Sequence, residues 1–283
     1  MDRRTVIRII CLSVIFSCGS ILAWQAHSEY QLNKMAEEAR LAYERAMVQK
    51  KPAPQPTHTP ALEPAVTEPP VRTVTTPAVL SPTPRAIQPA FEELRAKYGN
   101  NDIMGYLKIA GTGIDYPVTH SGDNSYYLQY DINKNRTTAG WIFMDYENDV
   151  EKDDPNIVIY GHNMRQDIMF HSLRYFQSWD YFNNHRYIEF NTIYENHVWE
   201  VFSFYRTDTD FPYIQVVFPS DEDFFALASE MKARSMYDTG VNIKPGDHIL
   251  TLSTCTNEDD DTRFALNARR LSPDEIPSDF LLD

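Results

Sequence analysis

Cysteine is scarce in this chain: three occur in 283 residues, and Cys11 and Cys18 share one apolar run near the N-terminus. Cys255 is therefore alone in the remainder, and a disulfide framework there is excluded. No glycine-rich phosphate loop, no HExxH, no paired CxxC and no internal repeat occurs, so nucleotide and structural zinc chemistry have no support. Basic charge is also short, with 26 Lys and Arg against 40 Asp and Glu and a net charge of −14. A general nucleic-acid binder needs the opposite balance, because phosphate contact draws on surplus Lys and Arg.

What is present is unevenly spread. Residues 1–89 carry 10 Lys and Arg against 7 Asp and Glu, and only 4 of the aromatic residues. Residues 90–283 carry 16 against 33, and the other 32 aromatics. The acidic, aromatic-rich part predicts the folded domain at 90–283.

Arg3, Arg4 and Arg8 precede an apolar run from Ile9 to Trp24. A basic flank before such a run predicts an uncleaved membrane signal anchor over residues 1–25, N-terminus in the cytoplasm and the rest outside. A lipoprotein site at Ile15-Phe16-Ser17-Cys18 is the competing reading, and Phe16 fits it poorly. Residues 26–50 contain neither Gly nor Pro and are rich in helix formers, which predicts an exposed juxtamembrane helix. Residues 51–89 hold 11 of the 18 prolines. That composition predicts an extended spacer reaching on the order of 100 Å.

From Phe91 on, short alternating segments bounded by turn residues predict eight strands: 105–107, 115–118, 140–145, 156–162, 187–190, 197–205, 248–255 and 263–271. Helices are predicted at 91–98, 169–176 and 220–237, the last with Ser220 as N-cap and acidic residues in its first turn. Eight short strands with few helices predict a mostly β fold, a closed or nearly closed barrel. The acidic run Glu258–Asp261 lacks the glycine and spacing of a calcium loop and reads as a solvated loop.

An unpaired cysteine in an exported domain is a buried bystander or a reactive thiol. In the strand 248–255, Thr251, Ser253 and Cys255 share a face with Ile249, while Leu250, Leu252 and Thr254 share the other. Cys255 thus ends a strand on its more polar face, a position that suits a nucleophile. Seven residues link it to the next strand, so an antiparallel pair would bring Arg263 to the same end and face. An arginine beside a thiol favours the thiolate and can hold an oxyanion. Arg263 could instead serve only to pair with the acidic loop before it. A thiol nucleophile also wants an imidazole. Of His120, His162, His171, His185, His197 and His248, His162 follows an apolar run and a glycine at a strand end, as an exposed base would. His248 shares the thiol's strand but lies about 23 Å away along it.

Three segments carry a family resemblance. Thr251-Leu252-Ser253-Thr254-Cys255 followed by Arg263 resembles the TLxTC…R signature of sortases, and Ile159-Tyr160-Gly161-His162-Asn163 resembles their histidine segment. Ile114–Val118, Gly140–Asp145, Asn163-Met164 leading to Met169-Phe170, and the helix ahead of the cysteine strand resemble class B members in particular. The resemblance implies a sortase-type eight-stranded barrel and a cysteine transpeptidase with Cys255 as nucleophile, His162 as acid/base and Arg263 on the oxyanion. Ser253 and Arg263 are implied in substrate binding. It also implies cleavage after Thr in a sorting motif of an exported protein, of the form Asn-Pro-x-Thr or Ser-Pro-x-Thr. An amine of a cell-wall precursor or a pilin would then receive the acyl group, with no metal or organic cofactor. The family's acidic residue just after the cysteine is not matched, since Asn257 stands two positions on. A protease on the same fold and a non-enzymatic wall-spanning scaffold are the alternatives. L,D-transpeptidase and papain-like patterns fail on the residues around Cys255.

Overall fold

The computed structural model describes residues 3–49, 85–164, 167–256, 261–278 and 280, and side chains of 3–16 and 49 lie outside the described set. Among the described residues eight strands form where alternation predicts them. They are β1 (Ile103–Lys108), β2 (Asp115–His120), β3 (Phe143–Met144), β4 (Asn156–Tyr160), β5 (Tyr187–Thr192), β6 (Asn196–Thr207), β7 (Ile249–Cys255) and β8 (Arg263–Arg270). The strands close into a barrel in the order β1-β2-β3-β4-β7-β8-β6-β5. Only the β2–β3 and β4–β7 pairs are parallel.

Alternation along β7 and β8 divides two cores. Leu250, Leu252, Phe264, Leu266 and Ala268 join the large cluster that fills the barrel. Ile249 and Ala265 point the other way, into a second cluster with Phe202, Tyr205, Phe211 and Tyr213. Helix α4 (Asp221–Ala233), between β6 and β7 in the chain, adds Phe224, Ala228 and Met231 to that cluster. Their i, i+4, i+7 spacing is one helix face. Ser220 caps the helix by accepting from the Asp223 N–H at 3.2 Å. The polar side of β7 is thus the barrel's outer face, and it is roofed by the β6–β7 connection.

The helices differ in detail from expectation. Helix α4 ends at Ala233, short of residue 237, because Met236 turns back to donate its N–H to the Phe204 carbonyl at 2.8 Å. The segment expected as a helix at 169–176 is a 3-10 turn over His171–Gln177, since Met169 has φ 56° and cannot belong to a right-handed helix. The short helix α3 (Trp179–Asn184) follows it.

The largest correction concerns the N-terminal helix. Helix α1 runs Arg3–Gln49, and it is not a free exposed rod: Leu32, Ala39, Ala42, Tyr43 and Ala46 are buried. Tyr43 stacks on Tyr106 of β1 at 3.9 Å and its hydroxyl accepts from the Asn191 amide at 3.0 Å. Small alanines at this spacing let α1 lie close against the barrel and against helix α2 (Pro89–Tyr98). Among the described residues no helix is long and apolar enough to cross a membrane. Much of the run Ile9–Trp24 has side chains outside the described set, and most of the proline-rich segment, residues 50–84, lies outside it altogether.

Candidate active site

Three neighbouring strands, β4, β7 and β8, end at one corner of the barrel. The antiparallel register sets Cys255 opposite Arg263, Ser253 opposite Ala265 and Thr251 opposite Asn267. The parallel register sets Tyr160 opposite Ser253, and the Gly161 N–H continues it by donating to the Ser253 carbonyl at 3.3 Å. Two residues on from that pair stand His162, just past the end of β4, and Cys255, the last residue of β7. Cys255, His162 and Arg263 are each half-buried.

Close packing fixes the approach to His162. A Cβ on Gly161 would stand 2.4 Å from Ile142 Cδ1 and 2.8 Å from Phe170 Cγ, so only glycine lets the chain pass between those buried side chains. The His162 imidazole donates through Nε2 to the Leu128 carbonyl at 3.0 Å. That carbonyl belongs to a 3-10 turn over Tyr126–Leu128. Gly140, at φ 57°, lies so near the turn that a Cβ would meet the Tyr127 carbonyl at 2.3 Å.

The roof over the outer face of β7 is tied down by buried polar groups. Tyr213 shares a hydrogen bond of 2.8 Å with Ser253 through their hydroxyls. Asn156 donates to the Tyr213 and Gln215 carbonyls at 3.2 and 2.9 Å, and accepts from the Thr251 hydroxyl at 2.8 Å. Asn267 donates to that same hydroxyl at 2.9 Å. Unpaired, such groups would each cost about 1–3 kcal/mol, so the ladder dictates where the roof sits. Burial pushes the Tyr213 phenol up, while its bond to Ser253 and the charge of Arg263 pull it back and Cys255 raises it. Tyr213 therefore lies within electrostatic reach of both strand-end residues.

Arg263 donates to the Thr262 carbonyl at 3.2 Å, and the Thr256 N–H donates to the same carbonyl at 3.1 Å. These bonds close the base of the β7–β8 connection, whose residues 257–260, including Asn257 and most of the acidic run, lie outside the described set. Among the described residues no group of three or more His, Cys, Asp and Glu side chains could hold a metal ion.

The other histidines are elsewhere or act through a neighbour. His248 sits at the start of β7 beside Asp153, His197 pairs with Glu195, and His185 lies against Tyr181. His120 ends β2 with Nε2 buried and without a partner among the described residues. His171 does reach this corner, bonding Asn163 at 2.9 Å, although nothing in the sequence distinguished it from the other four. Tyr213, Asn156 and Asn163 were likewise missed as site residues. Asn163 carried the one available signal, its place directly after His162.

A sequence model described as the sortase domain matches residues 107–271, more than half of the chain. Sortase B of Listeria monocytogenes is 40% identical over 161 residues, 57% of this chain and 65% of that protein. Sortase B of Staphylococcus aureus is 35% identical over 169 residues, 60% of this chain and 68% of that one. The chain thus spans just under two thirds of the Listeria relative's length. Among solved structures, a Staphylococcus aureus sortase B–substrate complex superposes with a TM-score of 0.71 at 26% identity, over 87% of this chain and 99% of that one. With the closed barrel and its strand-end cysteine, these matches show that the chain belongs to the sortase family and is most like its class B members.

Proposed function

We propose that this protein is a membrane-anchored, class B-like sortase that cleaves a C-terminal sorting motif after Thr in exported proteins and joins the product to an amine. The observation that supports this reading is the register that pairs Cys255 with Arg263 at one corner of the barrel, where β4 also ends two residues before His162.

In the proposed cycle the Cys255 sulfur attacks the Thr carbonyl carbon, and Arg263 holds the oxygen that gains charge. A planar five-donor guanidinium suits that role. Collapse breaks the C–N bond, His162 gives its proton to the leaving amine, and a thioester remains on Cys255. An incoming amine attacks the thioester, passes a proton to His162 and releases the sulfur with a new amide formed. Ser253 acts on the bound peptide through its hydrogen bond to Tyr213, beside the thiol. The reaction needs no cofactor.

The acceptor in this reading is an amine of a cell-wall precursor or a pilin. A motif of the form Asn-Pro-x-Thr or Ser-Pro-x-Thr is the expected donor, and the substrate complex of the Staphylococcus aureus relative supports that kind of partner. The basic flank and apolar run at 1–25 support a single-pass anchor with a cytoplasmic N-terminus, the catalytic domain of residues 90–283 facing outward and residues 51–89 as spacer.

The test is mass spectrometry of the full-length protein in detergent with such peptides, with and without an amine such as triglycine. Slow hydrolysis without the amine and a ligated product with it are expected, through a covalent intermediate. Cleavage that never yields an amine adduct would make the protein a protease on this fold. Binding that survives thiol blockade, without turnover, would make it a scaffold.

A further inference from the structure

The backbone ladder between β4 and β7 stops at the Gly161–Ser253 bond, one residue before the level of His162 and Cys255. Past that point a side chain takes over. Asn163, which is buried, donates from Nδ2 to the Cys255 carbonyl at 2.9 Å. Its Oδ1 lies 2.9 Å from His171 Nδ1.

Only one arrangement of protons satisfies both contacts. Rotating the amide would set its oxygen against the Cys255 carbonyl, acceptor against acceptor. The NH2 group must therefore face Cys255 and the oxygen must face His171, so His171 Nδ1 carries a proton and donates. Burial, with the charge of Arg174 adding to it, holds the His171 imidazole below its usual range. His171 is delivered by a short hairpin. Asn163 bridges Met169, and the Phe170 N–H donates to the His162 carbonyl at 2.9 Å. The turn contains Asp167 and Met169 at φ 58° and 56°, conformations that side chains rarely adopt. Such a turn persists where the surrounding contacts over-determine it.

We infer that Asn163 and His171 are positioning residues: His171 orients the Asn163 amide, and that amide clamps the main chain of Cys255 to the residue next to His162, holding the two strand ends together. The inference rests on the transpeptidase reading for its rate effects, while the clamp itself is a property of the fold. Loss of the clamp lets the two strand ends part, and a misplacement of about 1 Å costs about 100-fold in a pre-aligned reaction.

The experiment uses the full-length protein in detergent with four variants: Asn163→Ala, Asn163→Asp, His171→Phe and His171→Gln. Turnover of a sorting-motif peptide with triglycine gives kcat and KM. Peptide-mapped alkylation by iodoacetamide gives the reactivity of Cys255 independently of any peptide. Both Asn163 variants should lose about 10- to 100-fold in kcat, with KM within about twofold and melting within a few degrees of the wild type. Alkylation of Cys255 should slow in both. His171→Phe should share the loss, and His171→Gln should recover most of it, because its amide N–H can replace the imidazole donor. Asn163→Asp decides the matter, since it keeps the acceptor for His171 and changes one atom. A wild-type kcat or a wild-type alkylation rate in that variant overturns the inference. If the wild type turns over no peptide, slower alkylation in both Asn163 variants still supports the clamp, and the transpeptidase reading alone falls.

Discussion

The two ends of the β7–β8 pair carry similar side chains arranged to opposite effect. At the far end, His248 and Arg270 both meet Asp153, Arg269 meets Glu275 at 2.9 Å, and His197 meets Glu195 at 3.2 Å. A cleft of about 850 Å³ opens between them. At the near end, Cys255 pairs with Arg263 across the two strands, His162 donates to the Leu128 carbonyl and Arg263 donates to the Thr262 carbonyl. The cations of the far end are matched by carboxylates, which holds strands together.

Chemistry should break the symmetry of the two ends most sharply. Cys255→Ala should abolish both turnover and the covalent acyl adduct, read by intact mass. Arg263→Lys keeps the charge but loses the planar fork, and kcat/KM should fall by about 100- to 1000-fold, the loss typical of an oxyanion donor. If that variant keeps most of its activity, Arg263 belongs with the ion-pairing arginines of the far end.

Acid should distinguish the ends through stability. His197 and His248 are held below the usual imidazole range by burial first, with Arg270 adding to it. The unfolded chain takes up these protons near pH 6.5 and the folded chain only at lower pH, so the unfolded state binds more protons in between. Stability present above about pH 6.5 is therefore lost as the pH falls through the lowered folded values. Glu275, held down at about 2 by Arg269, keeps its charge across that range. The melting temperature should drop between pH 7 and 5, and His197→Asn with His248→Asn should flatten the slope. A slope unchanged in the double variant would place the titration elsewhere.

The smallest effect belongs to Arg270→Lys. Its pairing with Asp153 is partly solvent-exposed, so the loss should stay within about 1 kcal/mol, with peptide turnover at the wild-type level. A fall in turnover comparable to that of Arg263→Lys would show that the far end communicates with the thiol.

Much of the near end was legible from residue order. Period-two alternation in 248–255 and 263–271, with a seven-residue link, was enough to set Cys255 and Arg263 together, and the register agrees. The polar face of β7 is largely buried. Thr251 and Ser253 are polar because Asn156, Asn267 and Tyr213 bond them under a roof, and those partners lie 16 to 95 residues away in sequence. Helix α1 was misread for a similar reason. Its alanines at 39, 42 and 46 resemble those of a solvated helix until Tyr106 and α2 are seen against them.

The sequence by itself determined the strands, the thiol at a strand end and the family, because periodicity and short motifs are local and survive in linear order. Only the tertiary structure decided which amide bonds the Cys255 main chain, what covers the polar face of β7 and which cleft is lined by ion pairs. Those outcomes depend on strand register and on hydrogen bonds between residues far apart in the chain, and no local pattern encodes either.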